Sequence, residues 1–134
     1  MKNSYLLFVL ITILITFAFS SCKEIDNPRA VIKVVETIDS LTVPVYGALV
    51  EVGPATNENI LDDVQAQGYT NSSGVIEFEF TKKLILTAKA SKIERDENGS
   101  IIYNENGQII ISKTNSTIIT LDYDYTDSKT IIVD

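Results

Sequence analysis

The sequence contains no histidine and no tryptophan, one cysteine, one methionine and three prolines. Each shortage closes a class of functions. Without histidine there is no Ser-His-Asp or Cys-His relay and no His-containing zinc site. A single cysteine permits neither an intrachain disulfide nor a CxxC motif. Basic residues are also short: 11 Lys and Arg stand against 18 Asp and Glu, a net charge of −7. That balance argues against nucleic acid as a partner, because its binders present a basic patch. The 134 residues allow one domain.

What is present begins with a long apolar run. Lys2 is the only charge before Lys23, and between them lies an almost wholly apolar stretch from Tyr5 to Phe19. A basic start, an apolar stretch and small residues at its end (Ser20, Ser21) make a secretory signal over residues 1–21. The stretch is short for a transmembrane anchor, which needs about 20 apolar residues. Cys22 follows at once. The order Phe19-Ser20-Ser21-Cys22 resembles the lipobox of bacterial lipoproteins, and a Ser-Cys ending is similar to lipoproteins of the Bacteroidetes group. The resemblance implies cleavage before Cys22, lipidation of its thiol, and a membrane partner reached through that anchor, with the outer membrane as the location. The thiol suits the chemistry because its thiolate is the nucleophile toward a lipid donor. Residues 22–29 then read as a polar, lipidated tether.

Residues 30–134 read as strands. Ile, Val and Thr form about a third of the chain after residue 21, a β-branched load that favours strands over helices. Expected strands are 30–38, 46–52, 74–80, 84–90, 100–103, 108–112, 117–125 and 130–133. The alternation is clearest over 74–80, with Ile76, Phe78 and Phe80 on one face and Val75, Glu77 and Glu79 on the other, the mark of an antiparallel sheet with one wet face. Residues 57–67 read as a loop with one helical turn. Seven or eight short strands separated by turn signals predict an all-β fold, an antiparallel β-sandwich.

A short repeat lies within this pattern. Asp96-Glu97-Asn98-Gly99-Ser100-Ile101-Ile102 recurs eight residues later as Asn104-Glu105-Asn106-Gly107-Gln108-Ile109-Ile110. Asn-Gly is a strong turn signal, so two tight turns carrying a projecting hairpin are expected. The sharpest surface feature is Asp122-Tyr123-Asp124-Tyr125-Thr126-Asp127. Read as strand, it puts Asp122 and Asp124 on one face and Tyr123 and Tyr125 on the other. Asp122, Asp124 and Asp127 are then candidate Ca²⁺ ligands, given loop carbonyls to help. Tyr123 and Tyr125 are candidate stacking groups for a sugar, or close the edge of the core with their hydroxyls in water.

The middle of the domain carries a family resemblance. Val45-Tyr46-Gly47-Ala48-Leu49-Val50-Glu51-Val52, then Gly68-Tyr69-Thr70-Asn71-Ser72-Ser73-Gly74-Val75-Ile76-Glu77-Phe78, then Leu84-Ile85-Leu86-Thr87-Ala88-Lys89-Ala90 resemble the carboxypeptidase-regulatory-like, or prealbumin-like, family, with Thr70 and Gly74 at its turn positions. The resemblance covers residues 30–90 and implies an Ig-like, prealbumin-like sandwich. Domains of that type are usually non-catalytic spacers or attachment modules. The hydrolytic branch of similar folds uses histidines, which this chain lacks. The expectation is a lipid-anchored envelope protein presenting a non-catalytic binding or structural module, with no cofactor. Its alternative is a carbohydrate-binding accessory in glycan uptake. The partner would be an envelope protein or a glycan.

Overall fold

The computed structural model describes residues 24–54 and 64–134. The signal segment 1–21, Cys22 and most of the expected loop at 57–67 lie outside the described residues. The described residues form eight strands: β1 (Arg29–Ile38), β2 (Leu41–Pro44), β3 (Leu49–Gly53), β4 (Ala66–Tyr69), β5 (Val75–Glu79), β6 (Leu84–Ile93), β7 (Ile111–Leu121) and β8 (Thr126–Ile132). They make two sheets, the sandwich that the strand pattern predicts. In one, β1 is central, with β8 along one side and β5 and β2 sharing the other; the second runs β4-β3-β6-β7. Among the described residues every strand pairing is antiparallel except one: β1 and β8 run parallel, from Arg29 opposite Thr126 to Val35 opposite Ile132. No helix among the described residues is long and apolar enough to cross a membrane.

The core follows the period-two pattern. Ala30, Ile32 and Val34 of β1, Val50 and Val52 of β3, Leu86, Ala88 and Ala90 of β6, Ile119 and Leu121 of β7, and Ile131 of β8 are all buried and form one cluster. Each fully buried Val, Leu or Ile contributes about 1.5–3 kcal/mol of transfer free energy. Between them, Lys33 and Glu51 stay exposed on the outer faces. Along much of β1, β3 and β6 buried and exposed positions alternate, because one face packs and the other is wet.

β1 changes partner halfway along. It pairs with β5 through Lys33 and with β2 from Val35 onward. At the changeover the Val34 amide donates to the Gly74 carbonyl (2.7 Å), and the Val34 carbonyl accepts from the Val45 amide (3.0 Å). Gly74 has φ +73°, and a Cβ there would lie 2.5 Å from the Val34 carbonyl oxygen. Only glycine fits both the backbone conformation and the space.

One turn is used three times. At Asn71, Asp96 and Asn104 the side-chain Oδ1 accepts two amides, from the residues two and four positions on, at 2.8–3.1 Å. In each, the glycine three positions on donates its amide to the carbonyl of the first residue at 2.9 Å. The two later copies are the sequence repeat. They do not carry the expected hairpin of strands 100–103 and 108–112. The segment instead folds as a triangle, with the Ile102 amide donating to the Glu94 carbonyl, Ile110 to Ile102 and Glu94 to Ile110, at 3.0–3.1 Å. Strand pairing is reduced to two isolated bridges, Arg95–Ile101 and Tyr103–Ile109. Eight-residue spacing explains this: each turn consumes five residues and leaves too few to extend a ladder.

Three further expectations are corrected. β2 and β4 are strands that the sequence pattern does not mark, and Ala66 and Gln67, assigned to the loop, begin β4. The segment expected as one strand over 117–125 ends at Leu121, and β7 begins earlier, at Ile111. β8 begins at Thr126, so the residues between are a turn.

Candidate functional site

The turn from Asp122 to Tyr125 connects β7 in one sheet to β8 in the other, so the chain must change layers there. Asp124 takes φ +57°, a left-handed conformation that Asp tolerates better than most residues. The strand-face assignment of the two acids and two tyrosines therefore does not hold. Each carboxylate instead has its own donors. Asp122 pairs with Lys83 and accepts the Tyr123 amide at 2.7 Å. The Lys83 ammonium, and then the Tyr123 amide, hold the Asp122 carboxyl below its ordinary value, and Asp122 raises Lys83 in return.

Asp124 Oδ1 accepts the Asp26 amide at 3.0 Å, and the Asp124 amide donates to the Asp26 carbonyl at 3.1 Å. Asp127 is buried, at 4 % exposure. Its Oδ2 accepts the Thr120 amide at 2.8 Å, and its Oδ1 lies 3.4 Å from Lys129 Nζ. Thr120 sits on β7, whose outer edge is unpaired in its sheet. Asp127 thus caps an amide on that edge. Further back along β7, the Asn115 side chain makes a similar link by donating to the Ile132 carbonyl (2.9 Å). The three acids do not converge. Among the described residues no group of three or more acid, His or Cys side chains could hold a metal ion.

The tyrosines remain accessible. Tyr123 donates its hydroxyl to the Thr81 carbonyl (3.3 Å), and Lys83 Nζ lies 5.5 Å above its ring, a cation–π distance. Tyr125 is half-exposed. Thr120, Asp122, Tyr123, Tyr125, Asp127 and Lys129 line an open groove of about 480 Å³. On its other side, Tyr125 lines a smaller depression with Asp26, Asn27 and Arg29.

Two clusters at the far end of the sandwich are not among the sequence-derived candidates. Tyr46 lies 6.0 Å below the Arg95 guanidinium. Arg95 also donates to the Gly99 carbonyl (2.9 Å) and the Gly47 carbonyl (3.4 Å), and both Tyr46 and Arg95 line a depression of about 460 Å³. No sequence signal joins them, because they meet only through the fold. The second cluster is Glu36, 7 % exposed, held between Lys92 of β6 and Lys113 of β7. It ties the two sheets together. Lys113 and then Lys92 hold its carboxyl below the ordinary value, against some desolvation. A signal for it exists: Glu36 continues the inward phase of Ile32 and Val34.

Among the described residues the two buried carboxylates, Glu36 and Asp127, are therefore committed to ion pairs or backbone amides. Among the described residues, no buried side-chain polar atom lacks a partner.

No protein-family model and no curated protein matches the sequence. Several solved structures share its shape. A candidate carbohydrate-binding protein of Pseudomonas aeruginosa aligns over 88% of this chain and 94% of its own, with 10% identity and a TM-score of 0.51. GBS52, the minor pilin of Streptococcus agalactiae, aligns over 81% of this chain and 44% of its own, with 16% identity and a TM-score of 0.49. BcpA, the major pilin subunit of Bacillus cereus, aligns over 79% and 30%, with 12% identity and a TM-score of 0.49. The chain thus spans less than half the length of either pilin. At these identities the likeness concerns the fold, an all-β sandwich, and fold alone does not fix function.

Proposed function

We propose that the protein is an outer-membrane lipoprotein that presents a non-catalytic, prealbumin-like β-sandwich as a binding or structural module. One observation carries the reading: a signal-type apolar segment is followed directly by the only cysteine, then by a short polar tether, then by a strand-rich acidic domain. The domain's own chemistry agrees with a non-catalytic role, since its buried carboxylates Glu36 and Asp127 are held by lysines and a backbone amide. A general acid instead needs a carboxyl raised by burial and free to transfer its proton. Metabolic labelling of cells with a palmitate analogue tests the anchor. The protein should be labelled, and Cys22→Ala should abolish the label; labelling that survives the substitution sinks the proposal.

A second reading, a carbohydrate-binding accessory in glycan uptake, is favoured by the exposed Tyr123 and Tyr125 along an open polar groove. The likeness to the candidate carbohydrate-binding protein points the same way. Binding on a glycan array that weakens on Tyr123→Ala or Tyr125→Ala supports it. A broad array without binding removes it.

A further inference from the structure

The tether is not loose where it meets the sandwich. Asp26 exchanges two hydrogen bonds with Asp124, through its amide (3.0 Å) and its carbonyl (3.1 Å). Asn27 Nδ2 donates to Glu79 Oε1 at 2.8 Å, and the Pro28 carbonyl accepts the Phe80 amide at 2.9 Å. Pro28 itself is among the fully buried side chains. The chain leaving the domain toward Cys22 is therefore clasped to the β7–β8 turn. Asp26 comes four residues after Cys22 in the sequence, and four residues of extended chain reach at most about 14 Å.

We infer that the end of the sandwich bearing the β7–β8 turn is the membrane-facing end, with Tyr123, Tyr125 and Ile25 seated among lipid headgroups. The inference rests on lipidation at Cys22. A bilayer's headgroup layer is several ångströms deep on each side, so a leash of about 14 Å keeps this end at the surface. The exposed side chains there suit that position. Ile25 is 66% exposed, Tyr125 54% and Tyr123 40%, and Lys83 lies over the Tyr123 ring. Tyrosines favour the interface because the ring is apolar and the hydroxyl is wet. The opposite end stands clear. Arg95 and Tyr46 lie beyond the far end of the ten-residue β6, whose first residue, Leu84, pairs with Leu121 beside the turn. Ten strand residues span about 30 Å. The Tyr46–Arg95 end would then face away from the bilayer, and the tyrosine groove would be pressed against lipid rather than open to a free glycan.

The chain has no tryptophan, so one tryptophan reports one position. Tyr125→Trp and Tyr46→Trp are made in the full chain, purified after expression and reconstituted into phosphatidylcholine vesicles with and without bromine low on the acyl chains. Tyr125→Trp should be quenched about twofold and blue-shifted, as for an interfacial aromatic, while Tyr46→Trp stays unchanged. Equal quenching at both ends overturns the inference, because the domain then lies flat. Quenching at neither end overturns it too, because the domain then swings clear. Intact mass reads the premise separately. Should Cys22 carry no acyl chains, the anchor reading fails by itself; the lone thiol is then coupled to a maleimide phospholipid, and the same two reporters still decide the orientation.

Discussion

Thr70 offers the sharpest test of what fixes the β3–β4 end of the sandwich. It is 2 % exposed. Its hydroxyl donates to the Val45 carbonyl at 2.6 Å and accepts the Ala48 amide at 2.9 Å. It therefore holds both sides of the turn through Tyr46 and Gly47 that leads into β3. Thr70→Val keeps the shape and the apolar bulk but strands the amide and the carbonyl, both in buried residues. Each stranded buried group costs about 1–3 kcal/mol, so the pair costs about 2–6 kcal/mol. Thr70→Ser keeps both hydrogen bonds and loses one methyl, about 0.8 kcal/mol. For a domain near 100 residues, 1 kcal/mol moves Tm by about 4–8 °C. Thr70→Val should therefore melt lower by about 10 °C or more, and Thr70→Ser only a few degrees lower. Urea titration followed by far-UV circular dichroism gives the same ordering, with unchanged slope if the native state is intact. A valine variant as stable as the serine variant would refute the reasoning, since packing rather than hydrogen bonding would then hold the turn.

Other outcomes follow from single contacts. Gly74→Ala should destabilise far more than Gly99→Ala or Gly107→Ala in thermal melts: all three glycines have positive φ, but only Gly74 is closed in, by the Val34 carbonyl and Pro44. The open positions should lose only about 1–2 kcal/mol of left-handed strain. Glu36, whose folded pKa is depressed, contributes stability that is present above its unfolded value and lost as pH falls through its folded one. The Tm gap between the natural chain and Glu36→Gln should thus be constant near neutrality and close below about pH 4. Asp127→Ala uncovers the Thr120 amide on the β7 edge, and sedimentation velocity should show concentration-dependent self-association.

The strands that bury one face are legible because their period shows in the side chains: Ile76, Phe78 and Phe80 face inward in β5 and its exit, and Glu77 and Glu79 face water. β2 and β4 are not. β2 is exposed along its whole length, so nothing in its pattern marks a buried face. It exists because a two-residue turn at Asp39 and Ser40, both at positive φ, folds it back on β1. Neither residue is glycine, so the turn gives little warning. β4 carries Gly68, a poor strand former. A Cβ at Gly68 would lie 2.6 Å from Ile76 Cδ1, so the glycine admits a side chain from the opposite sheet. The misreading of Asp122–Tyr125 has the same origin. Its acid–tyrosine alternation matches a strand, and what makes it a turn is that β7 and β8 belong to different sheets. The aspartates are visible as a cluster, but their separate donors (Lys83, the Asp26 amide and the Thr120 amide) come from different parts of the chain.

The parallel pairing of β1 with β8 has a mechanical consequence. In a chain held at Cys22 and loaded beyond Ile132, the pull enters β1 at Arg29 and leaves β8 at its far end. The two strands are then drawn past each other along their length. Their rungs share the force and must fail together, whereas a hairpin pulled from its open end unzips one rung at a time. The departure from antiparallel order thus lies where an anchored domain would bear tension.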